Sequence, residues 1–126
     1  MFVSGKLNIL IIDDDVGILR TFSRIFQKKG FNVTVAEKGK DAIEELKLNR
    51  FDVALIDLAL PDMEGDELFP LITSASPKTL KIMLTGKSMH QETVEGADEF
   101  IVKPVNPEKL LNIIDSALKK RDGRHI

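Results

Sequence analysis

Ile9-Leu10-Ile11-Ile12-Asp13-Asp14-Asp15 decides how the chain is read: four apolar residues in a row, followed at once by three aspartates. An apolar run without polar alternation is the pattern of a strand buried on both faces, as in a parallel sheet covered by helices. The three carboxylates therefore stand at the mouth of a buried strand. Two carboxylates about 4 Å apart repel by roughly 4 kcal/mol at an effective dielectric near 20, a large share of the ~5–15 kcal/mol that holds a domain together. A positive group is expected among them.

Outward from this strand, short apolar runs alternate with longer amphipathic stretches, the pattern of βαβ units in an α/β fold. Leu7 to Ile12 reads as the first strand, and Val16, Leu19, Phe22, Ile25 and Phe26 recur at helical spacing up to Gly30. Phe31 to Val35 is a short second strand, and Ala42, Ile43 and Leu46 line one face of a second helix. Phe51 to Ile56 is a third apolar run that ends at Asp57. The stretch Leu60-Pro61-Asp62-Met63-Glu64-Gly65 has turn chemistry, and Pro70 predicts a late start or a kink in the third helix. Leu80 to Leu84 is the fourth strand, Ser88 to Val94 has room for only a brief fourth helix, and Phe100 to Val102 is the fifth strand. Asn106 and Pro107 suit the cap and first position of a last helix carrying Leu110, Leu111, Ile113, Ile114, Ala117 and Leu118. The expectation is a doubly wound, five-stranded parallel sheet with five helices.

The totals bound the function. With 126 residues the chain is one domain, with a core over about residues 6–120 and a short basic tail at 121–126. Eighteen Lys plus Arg against twenty Asp plus Glu leave a formal charge of −2, so no overall field draws it to nucleic acid or to an acidic membrane. The lack of cysteine excludes a disulfide framework, a thiolate nucleophile and a cysteine-based zinc site. No signal-peptide core follows Met1, and no apolar run approaches the ~18 residues of a membrane span. The reading is a soluble, cytoplasmic protein.

In an open doubly wound sheet the ligand crevice lies outside the carboxyl ends of the strands, where strand order reverses. Those ends carry Asp13, Asp14 and Asp15 after the first strand, Asp57 after the third, Thr85 after the fourth and Lys103 after the fifth. An all-oxygen donor set favours a hard cation, and few carboxylates with room for water and phosphate suit Mg²⁺ better than Ca²⁺. An aspartate beside such a cation, with an ammonium and a hydroxyl in reach, is placed to accept a phosphoryl group. Thr85 alone would be a strand residue, Lys103 alone a solvated charge and Phe100 alone a core residue. Asp15 reads as the N-cap of the first helix, and His90 and His125 as surface residues.

Asp13-Asp14, Asp57-Leu58-Ala59-Leu60-Pro61-Asp62-Met63-Glu64-Gly65, Leu84-Thr85-Gly86 and Lys103-Pro104 together resemble the receiver domain of two-component response regulators, of the stand-alone chemotaxis type, over about Lys6 to Lys120. The resemblance implies a flavodoxin-like fold with strand order 2-1-3-4-5. It implies that Asp57 accepts a phosphoryl group from the phosphohistidine of a sensor histidine kinase or histidine phosphotransfer protein. It further implies Mg²⁺ held by Asp14, Asp57 and the backbone carbonyl of Ala59, with Asp13 acting through water. Lys103 would pair with the carboxylate and then the phosphate, and Lys103-Pro104 would be a cis peptide. Thr85 and Phe100 would form the switch that couples phosphorylation to a surface read by a downstream protein effector. The implied protein is a monomer or weak dimer, and not an enzyme acting on a separate substrate.

The chain departs from the pattern in one stretch. Only seventeen residues separate Thr85 from Lys103, about four fewer than receivers commonly have, close to one helical turn of about 3.6 residues. The fourth helix is therefore expected to be shortened and to order on phosphorylation or partner binding. Ala59 and Lys87, each two residues beyond a site residue, occupy positions that tune dephosphorylation in the family. Three rival readings stand beside this one: an aspartyl-phosphate phosphatase, against which Ala59 replaces the usual second aspartate; a phosphorylation-independent binding module; and a receiver excised from a larger regulator or hybrid kinase.

Overall fold

The computed structural model describes residues 6–86 and 96–123. Within them the chain forms β1 (Asn8–Ile12), α1 (Val16–Lys28), β2 (Asn32–Ala36), α2 (Gly39–Leu48), β3 (Val53–Asp57), a 3-10 turn (Gly65–Leu68), α3 (Phe69–Ala75), β4 (Leu80–Thr85), β5 (Glu99–Val102) and α4 (Pro107–Asp122). The five strands are parallel, in the order β2-β1-β3-β4-β5. That is the expected flavodoxin-like arrangement. Four α-helices lie among the described residues, and the brief helix expected over Ser88 to Val94 falls outside them, as do Lys87, His90 and His125.

Strand alternation sorts the core into two layers. Ile9, Ile11, Val53, Leu55, Ile82 and Leu84 face α1 and α4, meeting Phe22, Phe26, Leu110 and Ile114. Leu10, Ile12, Ala54, Ile56 and Met83 face the other way, toward Ala42 of α2 and Ile72 of α3. Because both faces are covered, β1 and β3 read as unbroken apolar runs. Phe51, expected in the third strand, is buried but precedes it: the β1–β3 ladder begins with the pair Ile9 and Val53. Val16, read as part of an apolar stripe, is 49% exposed. Helical side chains lean toward the helix N-terminus, so that of the first residue reaches past the layer it would otherwise join.

The helix ends follow their sequence signals. Asp15 caps α1 by accepting the backbone N–H groups of Gly17 at 2.9 Å and Ile18 at 3.2 Å, and Asn106 does the same for α4 with Pro107 at its first position. Pro70 falls in the first turn of α3, where it has no intrahelical donor to lose, so the chain enters through a 3-10 turn and the α-helix starts late. Residues 121 and 122, expected in the tail, are the last turn of α4, and Arg121 reaches back to the Lys78 carbonyl and the Asp98 carboxylate.

One close approach shapes the site. The N–H of Gly65 donates to the Leu58 carbonyl at 2.6 Å, and a Cβ at position 65 would run into the backbone carbonyl of Asp57. Glycine is needed there for space. A Gly65→Ala variant should lose about 1–3 kcal/mol, lowering the melting temperature by roughly 4–15 °C. At Gly86 an added Cβ meets nothing within 4 Å, and Gly86→Ala should stay within about 0.5 kcal/mol of the parent. Thermal melts followed by circular dichroism check both.

Candidate functional site

Strand order reverses between β1 and β3: from β1 the sheet grows to β2 on one side and to β3, β4 and β5 on the other. The crevice at that switch point receives Asp13 and Asp14 from the end of β1 and Asp57 from the last position of β3. Each of the three offers a carboxylate oxygen, and these oxygens lie within 4.8 Å of one another. Asp13 and Asp57 are buried while Asp14 is exposed, so the cluster opens to solvent on the Asp14 side.

The expected positive group is Lys103. Its Nζ donates to Asp13 Oδ2 at 2.8 Å and stands 3.6 Å from Asp57 Oδ1. The resemblance paired this lysine with Asp57, yet its shorter contact is to Asp13. The Lys103 N–H donates to the Thr85 carbonyl at 2.6 Å, and the Lys103–Pro104 peptide is cis, as expected. Asp13 is tied down twice, since its Oδ1 also accepts the Asp15 N–H at 2.9 Å. Both oxygens of Asp13 are thus held by the chain.

Proton affinities report the crowding. Burial, then the charge of Asp13, lifts the Asp57 carboxyl above its ordinary value; Lys103 and the Ala59 N–H draw it back, and Asp14 adds to the rise. Burial pulls Lys103 down, but its hydrogen bond to Asp13 and the charges of Asp13 and Asp57 outweigh that, holding the ammonium above its usual value. One ammonium thus leaves the cluster short of positive charge. An all-oxygen set with surplus negative charge fits a divalent cation, and Asp13, Asp14 and Asp57 are the residues that could hold it.

The expected switch residues lie on β4 and β5, the strands beyond β3. Thr85 ends β4 and is buried; in the ladder it pairs with Val102, and Met83 pairs with Phe100. Side chains alternate, so Thr85 and Phe100 lie on the same face of the sheet as diagonal neighbours. Phe100 is half-buried against the layer that holds Met83. Ala59 lies in the loop after β3, bridged to Glu64 across it. Sequence reading treated Asp62 as a turn residue only. Its carboxylate accepts the N–H groups of Gly39 at 2.8 Å and Lys40 at 2.9 Å, capping α2 from another part of the chain. The signal was a missing one: Lys38, the N-cap of α2, has no capping side chain.

An open parallel sheet with an acidic cluster and a strand-end lysine at its switch point defines a receiver-type signalling domain. The response regulator receiver domain profile matches residues 9–115, and the chain belongs to that family, the signalling component of two-component systems. It is similar to a CheY-like response regulator receiver domain protein from Methanospirillum hungatei JF-1, at 36% identity and a TM-score of 0.87, covering 94% of this chain and 98% of that one. A response regulator protein from Burkholderia pseudomallei, crystallised with a phosphorylated aspartic acid, calcium ion and citrate, is 25% identical with a TM-score of 0.82, covering 91% and 70%. Among curated proteins, the cell cycle response regulator CtrA of Brucella ovis is 29% identical over 121 residues, 93% of this chain and 52% of that protein. The chain thus spans about half the length of the curated relatives it matches. No described helix is long and apolar enough to cross a membrane.

The raised Asp57 carboxyl has a sign that can be checked. Its extra proton affinity means the folded state holds a proton the unfolded state has lost, so metal-free stability falls as pH rises through the folded value. Above that pH the cost of burying the charge, and then of its repulsion by Asp13, is fully present. Asp57→Asn should therefore raise the metal-free melting temperature by a few degrees at neutral pH, and the gain should vanish below the unfolded value near 3.8. Melts across pH in the presence of a chelator test this.

Proposed function

We propose that this domain accepts a phosphoryl group on Asp57 from the phosphohistidine of a sensor histidine kinase or histidine phosphotransfer protein, in a Mg²⁺-dependent step. The observation that carries the reading is the ammonium of Lys103 set between Asp13 and Asp57 at the crevice, 2.8 and 3.6 Å away. An Asp57 oxygen attacks phosphorus, the new P–O bond forms as the donor's N–P bond breaks, and the freed imidazole keeps the bonding pair and takes a proton from solvent. A carboxylate with raised proton affinity is the better nucleophile for this attack.

In phosphoryl transfer most of the catalytic help is positioning and charge neutralisation. Lys103, already close to Asp57 Oδ1, turns its charge to the phosphoryl oxygens as they arrive, and Asp13 holds it in range meanwhile. Asp14, Asp57 and the Ala59 carbonyl would hold Mg²⁺, with Asp13 supporting it through water. The chemistry such an ion would supply is positive charge that offsets the negative charge of the phosphoryl oxygens. The Thr85 hydroxyl then approaches the phosphoryl group, and Phe100, its diagonal neighbour, transmits that shift to a surface read by a downstream protein effector. Residues 1–126 act as one receiver unit in this reading, in the cytoplasm, as a monomer or weak dimer that contacts neither nucleic acid nor membrane.

Incubation with acetyl phosphate and Mg²⁺, followed by intact mass, tests it. The parent should gain one phosphoryl mass and Asp57→Ala none. Chelation should abolish the gain, and Lys103→Ala should slow it by about 10²-fold or more, the usual scale for losing one group that stabilises developing charge. A parent that gains nothing, or an Asp57→Ala variant that gains equally, leaves the phosphorylation-independent binding module as the better reading.

A further inference from the structure

We propose that Asp62 is a positioning residue for the metal site: by clamping the loop after β3 to the amino end of α2, it holds the Ala59 backbone in the orientation that the acidic cluster uses. The proposal rests on the reading of Asp14, Asp57 and Ala59 as ligands of Mg²⁺.

The loop is a closed strap. Its base is sealed by the Gly65 N–H on the Leu58 carbonyl at 2.6 Å, its two legs are bridged between Ala59 and Glu64, and its turn is drawn in by the Leu60 N–H on the Met63 carbonyl at 3.2 Å. Leu60, buried, anchors one leg in the core beneath α2 and α3. The Ala59 N–H faces the Asp57 carboxylate. A change in the strap's tilt therefore moves the peptide units that flank the phosphoacceptor.

The tip of the strap is held from outside. Both oxygens of Asp62 are used, Oδ1 by Gly39 N–H at 2.8 Å and Oδ2 by Lys40 N–H at 2.9 Å, across 23 and 22 positions of sequence. Met63 adds a second contact: its side chain covers Gly39 so closely that any Cβ there would strike it. Two oxygens on two successive amides fix the carboxylate plane as well as its position, which a single hydrogen bond would leave free to swing. Helix α2 is in turn bound to the sheet through the buried Ala42. The strap is thus referenced to a packed element and not to solvent, as a ligand-bearing backbone requires.

A simpler role would be helix capping alone, and one variant separates the two. Lys38→Ser supplies α2 with a local cap that Lys38 does not provide. Calorimetric titration with Mg²⁺ is the readout, beside melting temperature. Asp62→Ala should weaken Mg²⁺ binding by about tenfold, the scale for losing an outer partner of a ligand, and Asp62→Asn, which keeps one acceptor and the volume, by less. Adding Lys38→Ser to Asp62→Ala should restore the melting temperature while the Mg²⁺ affinity stays weak. Labelling by acetyl phosphate should recover at saturating Mg²⁺, so the loss falls on the Mg²⁺ requirement and not on the maximal rate. The proposal is overturned if Asp62→Ala binds Mg²⁺ within twofold of the parent, or if Lys38→Ser restores affinity together with stability. A parent that binds no Mg²⁺ overturns the metal-site reading itself and the proposal with it.

Discussion

The contact between Lys103 and the two buried carboxylates is the interaction on which the site depends. Asp13 and Asp57 are brought out of water by the same burial that makes β1 and β3 the centre of the core. Without a counter-charge that placement would oppose folding, because buried like charges have neither solvent nor distance to relieve them. Lys103 relieves it in part, reaching both from the end of β5. The relief is incomplete: three carboxylates share one ammonium, and burial, then the charge of Asp13, keeps the Asp57 carboxyl above its ordinary value. A site left short of positive charge is one that gains from binding a cation or from a reaction that redistributes charge.

The parallel sheet makes such a site possible. All five strands point their carboxyl ends the same way, so residues that follow strands in sequence gather at one edge in space. Two of those ends supply acid, one a hydroxyl and one an ammonium, and the loop after β3 wraps under them with Gly65 pressed against the Asp57 carbonyl. Distance in sequence is no obstacle: Lys103 and Asp13 are 90 positions apart. The far edge of the sheet is held by a different set of charges. Lys81, buried in β4, and Arg121 from α4 both meet Asp98, two cations on one carboxylate, the reverse of the acid excess around Lys103.

Much of this was legible in the residues. Apolar runs without alternation marked β1 and β3, helical spacing marked α1 and α4, and the polar residues that close each run marked the strand ends. Asp15 and Asn106 were readable as caps because a cap acts on amides two and three residues away. The role of Asp62 was not readable, since the amides it caps lie 22 and 23 positions earlier. The need for glycine at 65 was equally hidden. Its φ is not in the left-handed region, and only the approach of the Asp57 carbonyl excludes a side chain there.

The amino-acid sequence by itself determined the α/β class, the buried strands, the helix caps and which residue types stand at the strand ends, because each of these follows from patterns within a few residues. Tertiary structure decided the rest: that Lys103 lies closer to Asp13 than to Asp57, that Thr85 and Phe100 share a face, and that Asp62 straps the loop to α2. Hydrogen bonds and charge interactions depend on separations of a few ångströms, and between residues tens of positions apart those separations exist only once the sheet has set its register.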